Sequence, residues 1–175
     1  MYSMFKDCSL LKTLDLSKFN TKKVINMREM FSNCYSLILL DMSNFNIQNV
    51  THMGYMFSNC SSLVSLNLSN FHAQNVTNIE KMFYGCKSLI FLDLSNFNTQ
   101  IVNHMGYMFC DCQSLLSLNL SNFNAQNNAI IENIFYGCNS LMSLELTNSY
   151  FQNITNLRKI LNDCNSFIIH SVFNY

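Results

Sequence analysis

The chain has 175 residues, of which 49% are hydrophobic and 13% aromatic, so it can bury a core and is not intrinsically disordered. Ten Lys and Arg residues balance ten Asp and Glu residues, and this lack of basic surplus argues against nucleic acid as a partner. No apolar run reaches the roughly 18 to 20 residues of a membrane-spanning helix, and residues 1–7 lack the pattern of a secretion signal. Membrane insertion is therefore not expected.

An internal repeat of 26 residues organises the chain from its first residues onward. Phenylalanine recurs at this interval from Phe5 to Phe135, and Leu161 takes the seventh place. Three residues after each of these, without insertion, comes a cysteine: Cys8, Cys34, Cys60, Cys86, Cys112, Cys138 and Cys164. Such a period predicts a solenoid in which equivalent side chains of neighbouring coils lie above one another. We expect one solenoid domain over residues 1–175, with incomplete repeats at both ends.

The segment before each cysteine has the apolar spacing of a helix. In the third repeat the apolar residues are Val50, Met53, Met56 and Phe57, which predict two helical turns. Threonines stand where a side-chain oxygen would cap the helix, at Thr51, Thr77 and Thr155. The residue directly before each cysteine tolerates a left-handed backbone and predicts a helix stop: Asp7, Asn33, Asn59, Gly85, Asp111, Gly137 and Asp163.

After each cysteine the pattern changes to alternation. Leu66 and Leu68 are separated by the polar residue Asn67, so we predict a short strand over Ser65–Ser69. Because the repeats are related by translation, these strands stack in parallel at about 4.8 Å per coil. The predicted fold is therefore an α/β solenoid of about seven coils, each with one short parallel strand and one short helix.

Residues 82–99 read Met-Phe-Tyr-Gly-Cys-Lys-Ser-Leu-Ile-Phe-Leu-Asp-Leu-Ser-Asn-Phe-Asn-Thr, and this run recurs in related form in every copy. It resembles the 26-residue repeat of BspA-like leucine-rich repeat surface proteins. The resemblance implies a leucine-rich-repeat solenoid, a cell-surface or extracellular location, and a role in adhesion or partner binding. Ordinary leucine-rich repeats carry asparagine or cysteine three residues after the third leucine, where this chain has Phe19, Phe45, Phe71, Phe97 and Phe123.

The outward positions of the predicted strands form the candidate binding face, because a solenoid displays one variable set of residues on a rigid array. They lie on either side of the second core leucine: Thr13, Asp15, Asp41, Ser65, Asn67, Phe91, Asp93, Ser117, Asn119 and Glu145. This strip is interpreted either as a contact surface for a protein, glycan or cation, or as a solvated face that keeps the strands soluble.

No residue pattern indicates catalysis, a cofactor or a metal site. Seven cysteines share one column, which is most simply explained by buried free thiols, and Cys110 lacks a zinc-ligand spacing to Cys112. His52 and His104 occupy the same column two coils apart, roughly 10 Å, too far to share a metal ion. The sequence shows neither a recurring serine, histidine and carboxylate pattern of a catalytic triad nor a glycine-rich phosphate-binding loop. An enzyme is therefore not expected.

The first functional hypothesis is a noncatalytic interaction or adhesion module that binds a protein or glycan. The alternatives are a structural spacer and an intracellular scaffold or effector. Apolar residues of the end coils also predict end-to-end self-association, at Leu10, Ile168, Ile169 and Phe173. The chain carries no recognisable signal peptide or anchor, so the surface location rests on the family resemblance alone.

Overall fold

The protein is described by a computed structural model that covers residues 1–123 and 129–145 together with Leu161 and Cys164. Its strands have three residues each and follow one another at intervals of 26: β1 (Leu39–Asp41), β2 (Ser65–Asn67), β3 (Phe91–Asp93), β4 (Ser117–Asn119) and β5 (Ser143–Glu145). The pairing is parallel and places equivalent residues side by side, as in Leu92, Leu118 and Leu144. The predicted stacking of 26-residue units with short parallel strands is confirmed.

The sheet divides between its second and third strands. β1 pairs with β2, and β3 pairs with β4 and β5, but β2 and β3 belong to separate sheets. A cleft of about 380 Å³ opens there, with Val64 and Phe91 among its lining residues. Leu66 at this break is half-buried, whereas Leu40 and Leu92 are only 2% and 1% exposed.

A second parallel ladder holds the coils together across this break. Its bridges connect one residue per coil: Asn26, His52, Asn78, His104 and Ile130. The two histidines are therefore separated by Asn78 in the middle coil. The ladder continues into the next segment, where the Phe57 N–H donates to the Met82 carbonyl at 2.9 Å.

The predicted helix over residues 50–57 is wrong, because this segment is a series of turns, and residues 1–123 and 129–145 contain no helix. Alternate N–H groups donate hydrogen bonds to the next coil: those of Met53 and Tyr55 donate to the carbonyls of Asn78 and Glu80 at 2.9 and 2.8 Å. The N–H groups between them close turns within the coil, as from Met56 to Met53 at 3.2 Å. A two-turn helix has a costly nucleus, whereas these turns gain hydrogen bonds from both neighbouring coils.

The predicted capping threonines also serve the stack instead of a helix end. The hydroxyl of Thr51 donates to the Ile25 carbonyl at 3.3 Å, and that of Thr77 donates to the Thr51 carbonyl at 3.2 Å. Thr155 lies outside the described residues. The left-handed column is confirmed from Asp7 to Gly137, with φ from 59° to 75°, and Asp163 also lies outside the described residues.

Phenylalanine rings run through the core as a continuous stack. The rings of Phe5, Phe31, Phe57, Phe83, Phe109 and Phe135 lie 5.3 to 5.7 Å apart between successive centroids and are nearly parallel. From Phe31 to Phe135 each ring is at most 1% exposed. Burial of a phenylalanine stabilises a fold by about 1.5 to 3 kcal/mol, so this column is a main source of stability.

The cysteines of the column form hydrogen bonds between neighbouring coils. Each thiol from Cys34 to Cys164 donates to the carbonyl of the phenylalanine 29 residues earlier, at 3.0 to 3.4 Å. All eight cysteines are unbonded to one another. Burial raises the pKa of Cys34 to about 11, and it raises the pKa of Cys86 and Cys112 well above their usual value.

We expect the protein to lose stability as the pH rises above 9. A buried thiol with a raised pKa stabilises the fold below the unfolded pKa of about 9, and this contribution is lost as the pH rises through the folded pKa. Between its unfolded and its folded pKa, each such thiol should lower the free energy of unfolding by about 1.4 kcal/mol per pH unit. Urea unfolding between pH 7 and 11 measures the slope, and Cys86→Ala should make it shallower. An unchanged slope in that variant would contradict the assignment.

The first repeat exposes a cysteine and a leucine. Cys8 is exposed, Leu10 is 87% exposed, and Leu14 is half-buried. Leu10 thus has the exposure that end-to-end association requires. The other residues of that prediction, Ile168, Ile169 and Phe173, lie outside the described residues.

Candidate binding surfaces

The sheet face carries the predicted binding residues on its outward side. Asp41, Ser65, Asn67, Phe91, Asp93 and Glu145 belong to strands and are exposed, while Ser117 and Asn119 of β4 are half-buried between strands on both sides. Thr13 and Asp15 are exposed but lie before β1, outside any strand. The structure therefore brings together eight of the ten predicted residues on five neighbouring strands.

The acid and amide column of this face has a structural task as well. The side-chain oxygens of Asp41 and Asp93 accept the N–H of the serine two residues later at 2.9 and 2.8 Å. Asn67 and Asn119 make the same contact at 3.1 and 3.0 Å. These Asx turns follow the ends of β1, β2, β3 and β4. The hydrogen bond from the backbone of Ser43 also lowers the pKa of Asp41.

An exposed apolar column beside the strands was missed by the sequence analysis. It is named here the apolar stripe and consists of Ile38, Val64, Ile90, Leu116 and Met142, each 41% to 64% exposed. Backbone hydrogen bonds place its members one above another, as from Val64 to Ile38 at 2.8 Å and from Met142 to Leu116 at 3.0 Å. Leu39 and Phe91, 53% and 58% exposed, widen it. The signal was present, because this column carries an apolar residue in five consecutive repeats.

A groove of about 710 Å³ runs along a different part of the surface, on the turns that replace the predicted helix. We call it the tyrosine groove. It is lined by one tyrosine from each of four consecutive coils together with charged and amide side chains, chiefly Tyr55, Lys81, Tyr84, Tyr107, Asp111 and Tyr136. Two columns supply the rings: Tyr55 and Tyr107 share one, and Tyr84 and Tyr136 share the other, each pair 52 residues apart.

Lys81 lies between two rings of the groove. Its Nζ is 5.3 Å from the ring centroid of Tyr55 and 5.1 Å from that of Tyr107. Such cation–π contacts stabilise each pair by about 0.5 to 1 kcal/mol when exposed. At one end of the groove, Lys6 pairs with Glu29, and this hydrogen bond lowers the pKa of Glu29. Among the described residues Lys81 has no carboxylate within ion-pair distance.

Three residues that line the groove have a left-handed backbone conformation. Tyr55, Lys81 and Tyr107 have φ of 60°, 52° and 58°. A left-handed conformation costs a bulky residue about 1 to 2 kcal/mol, and glycine or asparagine would occupy it more cheaply. Asn133 occupies the next position of the column with φ of 49°. Glu29 of the same column has φ of 57°, so the left-handed conformation belongs to this position of the repeat and not to the tyrosines in particular.

An amide ladder forms the opposite edge of the groove. The side-chain amide of Asn59 donates to Asn33 Oδ1 at 2.9 Å, and that of Asn33 donates to Asp7 Oδ1 at 2.7 Å. The next residue of the column is Gly85, where an added Cβ would stand 2.6 Å from Asn59 Oδ1. Glycine at this point therefore gives the Asn59 side chain its room.

Features of other functional classes are few in the part of the chain that is described. Across residues 1–123 and 129–145 no three His, Cys, Asp or Glu side chains are grouped so that they could hold a metal ion. No helix in the same ranges is long and apolar enough to cross a membrane.

Comparison with known proteins identifies the family. A family model described as Mycoplasma protein of unknown function, DUF285, matches residues 1–91 and again 65–172. The chain belongs to the DUF285 family. No curated protein matches it. Among solved structures, this DUF285 chain is similar to a leucine-rich repeat protein of T. pallidum, with 16% identity and a TM-score of 0.48, over 79% of this chain and 69% of the other.

Proposed function

We propose that this chain is a noncatalytic interaction or adhesion module of a surface or secreted protein of the BspA-like leucine-rich-repeat type. It binds a protein partner through the sheet face together with the apolar stripe. The observation that carries the proposal is the stripe itself, five exposed apolar side chains on successive coils beside Leu39 and Phe91. Rows of exposed apolar side chains on a folded protein commonly mark a contact site.

The charges beside the stripe indicate the chemistry of the partner. Asp41, Asp93 and Glu145 are exposed on the same strands, so an apolar surface is bordered by carboxylates. Such a surface complements a partner that presents aliphatic or aromatic side chains flanked by lysine or arginine. A rigid array of this kind loses little conformational freedom on binding, which favours affinity.

Serine substitutions at Leu39 and Phe91 test the proposal. Serine occupies the same column in β2, β4 and β5, so the double variant should keep the fold. The probes are immobilised extracellular-matrix and serum proteins, and binding is followed by biolayer interferometry. We expect the dissociation constant of the bound protein to rise at least tenfold in the double variant and to stay unchanged in Tyr35→Ser, which alters an exposed tyrosine that is not a member of the stripe. Equal binding by all variants, or binding to none of the probes, would favour the structural spacer.

Charge-neutral variants separate the carboxylates from their turns. Asp41→Asn and Asp93→Asn keep the side-chain oxygen that Asn67 and Asn119 use in the same turn. Association should slow and depend less on salt, because the carboxylates steer a basic partner. Location is tested separately by adding protease to intact cells that produce the protein. Protection of the chain from the protease would favour the intracellular scaffold.

A further inference from the structure

We propose that the break between β2 and β3 is a local hinge, at which the sheet opens and closes while the rest of the two coils stays joined. The cleft of about 380 Å³ at the break corresponds to the open state. The hinge controls whether the apolar stripe is continuous, because Val64 and Ile90 belong to the two coils that it separates. It is a property of the fold and does not require a partner on the sheet face.

Two backbone hydrogen bonds of the repeat are missing at the break, where every residue from 61 to 97 is described by the structure. Elsewhere the N–H of a stripe residue donates to the stripe residue one coil earlier, as from Leu116 to Ile90 at 2.9 Å, but no such bond joins Ile90 to Val64. After the strands, the N–H of Leu94 donates to the next coil at 3.1 Å, whereas the equivalent N–H of Leu68 does not. Closing the break would pair these groups, which gives the closed state a source of stability.

The same two coils are joined on both sides of the break. On the turn side, the Phe57 N–H donates to the Met82 carbonyl at 2.9 Å, and the rings of Phe57 and Phe83 stack at 5.6 Å. Beyond the strands, the side-chain amide of Asn96 donates to the Ser69 carbonyl at 3.1 Å. The opening is therefore confined to the strands and their apolar contacts.

Apolar packing is loose on the opened side. Leu66 is half-buried, whereas its neighbour Leu92 is 1% exposed. In the next core column the rings of Phe97 and Phe123 stack at 6.0 Å, but the ring of Phe71, which lies in the described part of the chain and is buried, stacks on neither neighbour. Closing the sheet buries Leu66 and gives the Phe71 ring a stacking partner, so both states have a structural basis.

The loop after β2 differs from its neighbours in two residues. His72 stands where Asn46 and Asn98 close an Asx turn, so this turn is lost. Ala73 has φ of 26° and no hydroxyl, whereas the Thr21 hydroxyl at the same position donates to the Asn46 carbonyl at 3.0 Å and accepts its N–H at 2.8 Å. A loop without these hydrogen bonds holds its coil less firmly against the next one, which accounts for an opening at β2.

Disulfide trapping distinguishes a hinge from a fixed gap. Ser65→Cys with Phe91→Cys spans the break, and Ser117→Cys with Ser143→Cys spans the paired strands β4 and β5 at the same position of the repeat. Paired strands lie about 4.8 Å apart, a separation that a disulfide can bridge. Both variants also carry Cys8→Ser, which removes the exposed thiol.

We expect the pair across the break to form its disulfide completely under a mild oxidant, but about tenfold more slowly than the control pair, because the closed state is the minor one. A pair that never forms would mean that the gap is fixed. Equal rates would mean that the strands are permanently paired. Either result would overturn the proposal.

Amide hydrogen exchange measured by NMR is the second test. The N–H of Leu68 should exchange about a hundredfold faster than that of Leu94, which is hydrogen-bonded to the next coil. His72→Asn with Ala73→Thr copies the loop at residues 98–99, so it should slow exchange at Leu68 about tenfold and speed trapping across the break. Equal exchange of the two leucines in the unmodified chain, or a double variant that changes neither measurement, would also overturn the proposal.

Discussion

Replacing Phe83 with alanine is expected to lower the free energy of unfolding by about 3 to 5 kcal/mol. The Phe83 ring is fully buried, and its centroid lies 5.6 Å from those of both Phe57 and Phe109. The cavity cannot close easily, because backbone hydrogen bonds fix the spacing of the coils, including Phe83 N–H to the Met108 carbonyl at 2.9 Å. Urea unfolding followed by circular dichroism measures the loss.

Phe91→Ala is the matched control in the same coil. Phe91 is 58% exposed on β3, so its removal should change the free energy of unfolding by no more than about 0.5 kcal/mol. A comparable loss in both variants would mean that the stacked rings carry no special share of the stability. The assignment of the core to the phenylalanine column would then be wrong.

Gly137→Ala is expected to destabilise the fold by about 2 to 3 kcal/mol, mainly because of its left-handed backbone. Gly137 has φ of +75°, and an added Cβ would lie 2.4 Å from Asp111 Oδ1 and 3.3 Å from Asp111 Cα. Thermal unfolding measures the effect. In a second variant, Asp111→Gly combined with Gly137→Ala, the clash with the carboxylate is absent while the backbone cost remains, so part of the stability should return.

Gly106→Ala serves as the control for a glycine that needs neither space nor a positive φ. The nearest atom to its added Cβ is 3.6 Å away, and its φ lies outside the left-handed range. Alanine should therefore stabilise the chain by about 0.4 to 1 kcal/mol through the unfolded state. Equal destabilisation by both alanine variants would show that the left-handed column does not control the turn.

The parallel strands were predictable from the sequence, whereas the turns were not. Polar and apolar residues alternate around Leu66, and successive side chains of a strand point to opposite faces of the sheet, so this pattern directly predicts which side chains point inward. The spacing of Met53 and Phe57 reports only which side chains are buried, and both a helix and a series of turns bury them. The distinction depends on where the N–H groups of Met53 and Tyr55 donate, and that partner lies in the next coil.

The candidate binding surfaces were predictable in part for the same reason. Asp41 and Phe91 were expected to point outward because they alternate with buried leucines, and they do. Ile90 of the apolar stripe lies one residue before its strand, where alternation gives no direction. The tyrosine groove arises from turns that the sequence analysis predicted as helix, so Tyr55 and Tyr84 could not be placed on one surface. Their recurrence after 52 residues was the signal that could have revealed them.

Burial and hydrogen bonding of the thiols between coils should protect them from oxidation. From Cys34 to Cys138 every sulfur of the column is fully shielded, and its proton is engaged by the preceding turn of the chain. An oxidant can attack these sulfurs only while the chain is still being assembled or has come apart. The folded molecule therefore protects this part of the column from oxidation, whereas the exposed Cys8 remains open to it, so Cys8 should be the first cysteine to react.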